Sequence, residues 1–180
     1  MFGRLVGAAA LVLVCGVLPA RADCDARARN VWAGSGKGVI AEAASQGATC
    51  ANAVVTLVLR DRSGKPLWAE TFIGAQVMIF AGVADRRAMS HALGDWIDQT
   101  RSMLPRTDKL PDWPKGADAP KGGGEFPFYA DSGVDREAYL KLRGARLPMF
   151  CYVQGMESMA CVALSADGGV TKVGVQTFPG

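Results

Sequence analysis

The chain has 180 residues, with 20 Lys and Arg against 17 Asp and Glu, and a formal charge of +3. So small an imbalance exerts no general pull toward nucleic acid or anionic lipid. The length predicts one domain, large enough to bury a real core.

Residues 1–22 read as a removable export signal. Arg4 is followed by the small and apolar run from Leu5 to Val14, and the segment closes on Leu18-Pro-Ala-Arg-Ala22. Pro19 with small residues at Ala20 and Ala22 makes an A-x-A site, which predicts cleavage before Asp23. The apolar run is too short to span a bilayer, and no other segment is long and apolar enough to do so. The expectation is an exported chain, periplasmic or secreted, with no stable membrane insertion. A lipoprotein anchored through Cys15 is the alternative, but Val14 stands where the processing enzyme needs a small side chain. Cleavage removes Arg4 and Arg21 and no acid, so the formal charge falls by two, from +3 to +1.

Cleavage leaves four cysteines, Cys24, Cys50, Cys151 and Cys161, and an even count in an exported chain reads as two disulfides. Of the three possible pairings, Cys24 with Cys50 and Cys151 with Cys161 is favoured. The second pair brackets a hairpin: if Cys151 faces Cys161, Gln154 faces Ser158 and Gly155-Met156-Glu157 closes a three-residue turn. Neither pair has the C-x-x-C spacing of a redox or metal-binding motif.

In residues 23–180 the first element is an irregular, Gly-rich stretch from Val31 to Ala43, at best an edge strand. Val54–Arg60 and Leu67–Ile73 form the clearest hairpin, joined by Asp61-Arg-Ser-Gly-Lys-Pro66, whose Asp, Gly and Pro supply turn chemistry. A helix is predicted from an Asp85 N-cap to Met103. Met89, Leu93, Trp96, Ile97, Thr100 and Leu104 recur there at helical steps, and Pro105 stops it. Pro105 to Phe128 has no periodicity and holds five prolines and four glycines, so it is expected to be an exposed surface loop. Ser132-Gly-Val-Asp135 has capping-box spacing and starts a short helix to Arg143, before Gly144. The chain then runs through strands Met149–Gln154, Ser158–Leu164 and Val170–Phe178. The fold class is α+β: a mainly antiparallel sheet of about five or six strands, one longer amphipathic helix and one short helix, stapled by disulfides.

Four features invite a chemical reading. Gly34-Ser-Gly-Lys-Gly38 suggests a phosphate cradle, yet it lacks the G-x-x-x-x-G-K-[ST] spacing and a preceding apolar strand, so it reads as a bend. His91, the only histidine, would serve a small secreted hydrolase with Asp95 as its orienting acid. Ser90 beside it points about 100° away, and no G-x-S-x-G elbow is present. Met149, Met156 and Met159 would offer thioethers to Cu(I) in a copper-handling protein, though their spacing suits a hairpin face and tip. Trp113, Phe126, Phe128 and Tyr129, in and beside the Pro105–Phe128 loop, would form an anchor patch for a partner. Folding back onto the core is their bland alternative.

These negatives favour a non-enzymatic binding or accessory module, acting on a protein, peptide or envelope polymer, with no cofactor, metal or catalytic residue assigned. On this reading Trp113→Ala weakens partner capture and leaves the melting temperature nearly unchanged. Intact-mass analysis of the natively exported product is expected to give Asp23 as the amino terminus and no free thiol.

Overall fold

The computed structural model describes residues 24–121 and 126–178; the export segment with Cys15, the cleavage point before Asp23, and residues 122–125 lie outside them. Among the described residues eight strands form two antiparallel sheets of four. The first contains β1 (Ala26–Val31), β2 (Ile40–Gln46), β3 (Val54–Arg60) and β4 (Pro66–Ile73), in chain order. The second contains β5 (Phe128–Ala130), β6 (Met149–Val153), β7 (Ser158–Leu164) and β8 (Val170–Thr177), ordered β5-β8-β7-β6. Two helices, α1 (Arg86–Trp96) and α2 (Arg136–Ala145), complete an α+β fold.

The single sheet of five or six strands is therefore corrected to two sheets and eight strands. The irregular stretch at Val31–Ala43 holds the last residue of β1, the connecting turn with Gly36 and Gly38 at positive φ of 63° and 66°, and the first four residues of β2, which pairs with β1 as a hairpin. It went unread because β1, Ala-Arg-Ala-Arg-Asn-Val, turns only alanines inward and carries almost no apolar signal. Those alanines leave room for α1, whose Met89, Ala92 and Leu93 share one core with Ala26, Ala41 and Ala43. β5 was hidden in the Pro/Gly-rich segment. It pairs with β8 at Gly174, where a Cβ would collide with the Tyr129 carbonyl and the Phe128 ring.

The two sheets differ in what covers them. β3 alternates, with Val55, Leu57 and Leu59 fully buried and Thr56 and Val58 on the outer face. β6 and β7 do not alternate with solvent at all. Phe150, Tyr152, Ala160, Val162 and Leu164 enter the core shared with the first sheet and α1. Met149, Cys151, Cys161 and Ala163 enter a second core on the opposite face, with Leu110, Trp113, Phe128 and Tyr139. A sheet buried on both faces reads as a continuous apolar run.

The covering layer of the second core is largely the segment expected to be an exposed loop. Trp113 is only 8% exposed and Phe128 1%. Trp113 stacks edge-on against Tyr139 with ring centroids 5.3 Å apart, and its Nε1 donates to the Ala117 carbonyl at 2.7 Å. α2 ties the segment down: the Tyr139 hydroxyl donates to the Pro111 carbonyl at 2.9 Å, and Arg143 Nε to the Leu110 carbonyl at 3.0 Å. Burial raises the Tyr139 hydroxyl above its ordinary pKa, so it persists as a donor. α2 itself is capped by Asp135, which accepts from the Ala138 amide, rather than by Ser132, and it ends at Ala145 with Arg146 in the left-handed region.

Both disulfides have the expected pairing. Cys24–Cys50 ties the start of β1 to the turn before β3, across a separation of 26 residues. Cys151 and Cys161 are direct register partners of the β6–β7 hairpin, with Gln154 N–H donating to the Ser158 carbonyl at 3.0 Å. In the chain-entropy account the longer loop contributes about 3–4 kcal/mol and the shorter about 2–3 kcal/mol.

Burial places Trp113 in the core, so Trp113→Ala is expected to cost about 3–5 kcal/mol in urea unfolding. That reverses the unchanged melting temperature anticipated from sequence; a loss below about 1 kcal/mol would return the residue to the surface.

Candidate functional site

α1 begins where predicted, with the Asp85 carboxylate accepting from the Ala88 amide at 2.9 Å. It ends seven residues before Met103, the predicted end, because Asp98 turns back on its own chain. Asp98 accepts from the Thr100 amide and hydroxyl, each at 2.9 Å, the local bonding with which an Asp competes against helix. Those two bonds hold its carboxyl below the usual carboxylate pKa, so it stays ionised.

The unwound stretch does two things. Gln99 turns inward, donating from Nε2 to the Cys151 carbonyl at 2.9 Å and accepting the Cys151 amide at 3.1 Å through Oε1. Its side-chain amide thus stands in for a further strand along β6, the edge of the second sheet. Trp96 Nε1 donates to the Val153 carbonyl at 2.7 Å, and Met149 N–H to the Pro105 carbonyl at 2.9 Å, so this edge is closed along its length. Met103 then projects outward, 64% exposed.

Met103, Ile79, Met159 and Phe178 line a concave pocket of about 200 Å³ beside the β6–β7 hairpin, with Asp95, Asp98 and Arg101 on its margin. The apolar surface continues beyond the pocket. Met78 N–H donates to the Gly155 carbonyl at 3.1 Å, which sets Met78 against the hairpin tip carrying Met156. Phe178 N–H donates to the Glu157 carbonyl at 2.8 Å on the other side of that tip, and Phe126 stacks edge-on against Phe178 at 6.0 Å. Met78, Met156 and Phe126 are 47%, 51% and 37% exposed. Exposed large apolar side chains gathered in one place mark interaction sites, whereas scattered ones carry no message. At about 200 Å³ the pocket falls below the roughly 300–1,000 Å³ typical of small-molecule sites, so it suits one anchoring side chain of a larger partner.

A larger depression, about 710 Å³, lies between the start of α1 and the Thr49–Cys50 turn. It is an open surface hollow lined by Ala48, Ala84, Thr49, Cys50, Asp85 and two arginines, with no large apolar side chain to seat a guest. Between the two sheets, Tyr152 is fully enclosed: its hydroxyl donates to Glu70 at 2.7 Å and accepts Trp68 Nε1 at 3.1 Å, and Lys172 lies 3.9 Å from Glu70. Burial first, then Glu70, raises the Tyr152 hydroxyl well above its ordinary pKa. The cluster is a satisfied polar link between sheets rather than an accessible site.

The structure divides the residues singled out in the sequence. Trp113 and Phe128 belong to the second core; Phe126 joins the apolar surface at the hairpin tip; Tyr129 is 53% exposed on β5, opposite Val175. Met156 and Met159 belong to the tip and the pocket, but Met149 is buried at the far end of β6. Met149 and Val153, the register partner of Met159, are four residues apart, about 13 Å along a strand. The three thioethers therefore do not converge on one ion. His91 is exposed on α1, and its imidazole enters no hydrogen bond or ion pair among the described residues. Lys37 of the glycine-rich bend donates from Nζ to the Ser165 and Ala166 carbonyls of the β7–β8 turn. Met78, Ile79, Met103 and Phe178 were not found by sequence reasoning; the apolar triplet Met78-Ile79-Phe80 after β4 was the available signal.

Mild peroxide is expected to convert Met103, Met156 and Met78 to sulfoxides well before Met89 and Met149, which are 0% and 1% exposed. Peptide mapping by mass spectrometry reads the order, and equal rates at Met149 and Met103 would contradict the arrangement.

Among the described residues no helix is long and apolar enough to cross a membrane, and no three His, Cys, Asp or Glu side chains group to hold a metal ion. No protein-family model, curated protein or solved structure matches the chain significantly.

Proposed function

We propose that the chain is an exported, periplasmic or secreted, protein that works by binding a protein or peptide partner, and that the partner inserts an apolar side chain into the pocket beside the β6–β7 hairpin. Two disulfides favour an oxidising compartment, which agrees with the export signal read from residues 1–22. The observation that carries the binding reading is one concave pocket lined by Ile79, Met103, Met159 and Phe178, with exposed Phe126 stacked on Phe178 and exposed Met78 bonded through its backbone to the hairpin tip that carries Met156. Methionine side chains are flexible and polarisable, so such a surface adapts to an apolar guest.

Hydrolysis through His91 has nothing to recommend it, because Asp95 faces the pocket margin and no hydroxyl or carboxylate bonds the imidazole among the described residues. Copper handling would need the separated methionines brought together.

Peptides selected from a random library on the disulfide-intact chain are expected to carry an apolar anchor. Met103→Gln with Met156→Gln should weaken them by about tenfold or more, since burying one such side chain contributes roughly 1.5–3 kcal/mol. The melting temperature should hardly move, both side chains being exposed. Selected peptides that bind the double variant as tightly as the parent would refute the site.

A further inference from the structure

The margin of the pocket is acidic in a chain whose formal charge is positive. Asp95 and Asp98 line it, with Arg101 as the single cation among the lining residues. Glu157 is exposed on the adjoining hairpin tip, where its carbonyl holds Phe178. Three carboxylates against one guanidinium leave a local excess of two negative charges. Glu157 is tied through Phe178 to the pocket that Asp95 and Asp98 line, so a docked segment that covers the pocket and the tip meets all three charges, more strongly at low salt, where screening is weak.

Resting on the binding reading of this site, we propose that its occupant is a basic amphipathic peptide segment, with an apolar side chain seated between Met103 and Phe178 and flanking Lys or Arg side chains against Asp95, Asp98 and Glu157. The apolar floor supplies affinity, and the acidic margin selects among apolar guests by sign. Acidic segments and anionic lipid surfaces are repelled by the same charges. Asp98 is a dependable contributor because its bonds to Thr100 keep it ionised and fix its direction.

The test uses two labelled helical peptides with the same leucine spacing, one carrying lysines and the other glutamates on the polar face. Binding to the full disulfide-intact chain is followed by fluorescence anisotropy. The lysine peptide is expected to bind at least about tenfold more tightly at low salt, as three exposed charge pairs of modest strength allow. The gap should close to about twofold or threefold in Asp95→Asn/Asp98→Asn/Glu157→Gln. Equal affinity for both peptides, with Met103→Gln still weakening both, would overturn the charge selection and leave the apolar site standing. Failure of both peptides to bind, or indifference of the lysine peptide to Met103→Gln, would overturn the binding reading as well. Two rival occupants are decided alongside. A concentration-dependent dimer dissolved by Met103→Gln would assign the face to a second copy of the chain, and sedimentation with phosphatidylcholine vesicles lost in the same variant would assign it to lipid; either result overturns the proposal.

Discussion

The β6–β7 half of the second sheet is covered on both faces, and most of the architecture answers that condition. β6 and β7 send large apolar side chains to both sides, Phe150 and Tyr152 one way, Met149 and the Cys151–Cys161 pair the other. Leaving either face open would expose several fully buried side chains, each worth roughly 1.5–3 kcal/mol. The first sheet and α1 close one side. On the other, no further sheet is available, and the Pro/Gly-rich segment with α2 takes that part. Lacking a ladder of its own, this segment is held by side chains reaching its backbone carbonyls: Arg136 to Trp113, Tyr139 to Pro111 and Arg143 to Leu110.

A buried sheet also needs its edges satisfied, because unpaired backbone groups are costly away from water. At β6 that need is met by a side-chain amide rather than a strand. Gln99 can reach Cys151 only because α1 stops at Trp96, and it stops there because Asp98 offers Thr100 a local alternative to the helix. The same few residues then set the margin of the apolar pocket. Asp98 and Arg101 face its opening, and Met103 is carried outward on the far side of the turn. Edge protection and the candidate binding surface are thus consequences of one helix ending, which is why the pocket sits against the disulfide-crosslinked hairpin.

Rigid support beneath an adaptable surface suits a docking role. The β6–β7 hairpin is crosslinked directly across its strands, while the methionines around its tip have several accessible rotamers and no polar partner to fix them. The Tyr152–Glu70–Trp68 link pins the underside of this hairpin to the first sheet. On the binding reading, an anchor in the pocket would meet soft side chains over a crosslinked and hydrogen-bonded hairpin.

Local chemistry determined a good deal. The turn residues Asp61 to Pro66 set the β3–β4 hairpin, the spacing of Cys151 and Cys161 set the register of β6 with β7, and Asp85 set the start of α1, because in each case the interacting groups lie within one turn or one hairpin. Phe126, Met156 and Met159 drew attention as exposed or soft side chains, but their sequence positions gave no sign that they share a surface with Met78, Met103 and Phe178. Only the tertiary structure decided that two sheets form instead of one, that Trp113 and Phe128 are core, and that α1 ends early to close a strand edge. Each of those depends on groups far apart in the chain meeting at distances of a few ångströms, and side-chain periodicity along one segment carries no information about what the segment will meet.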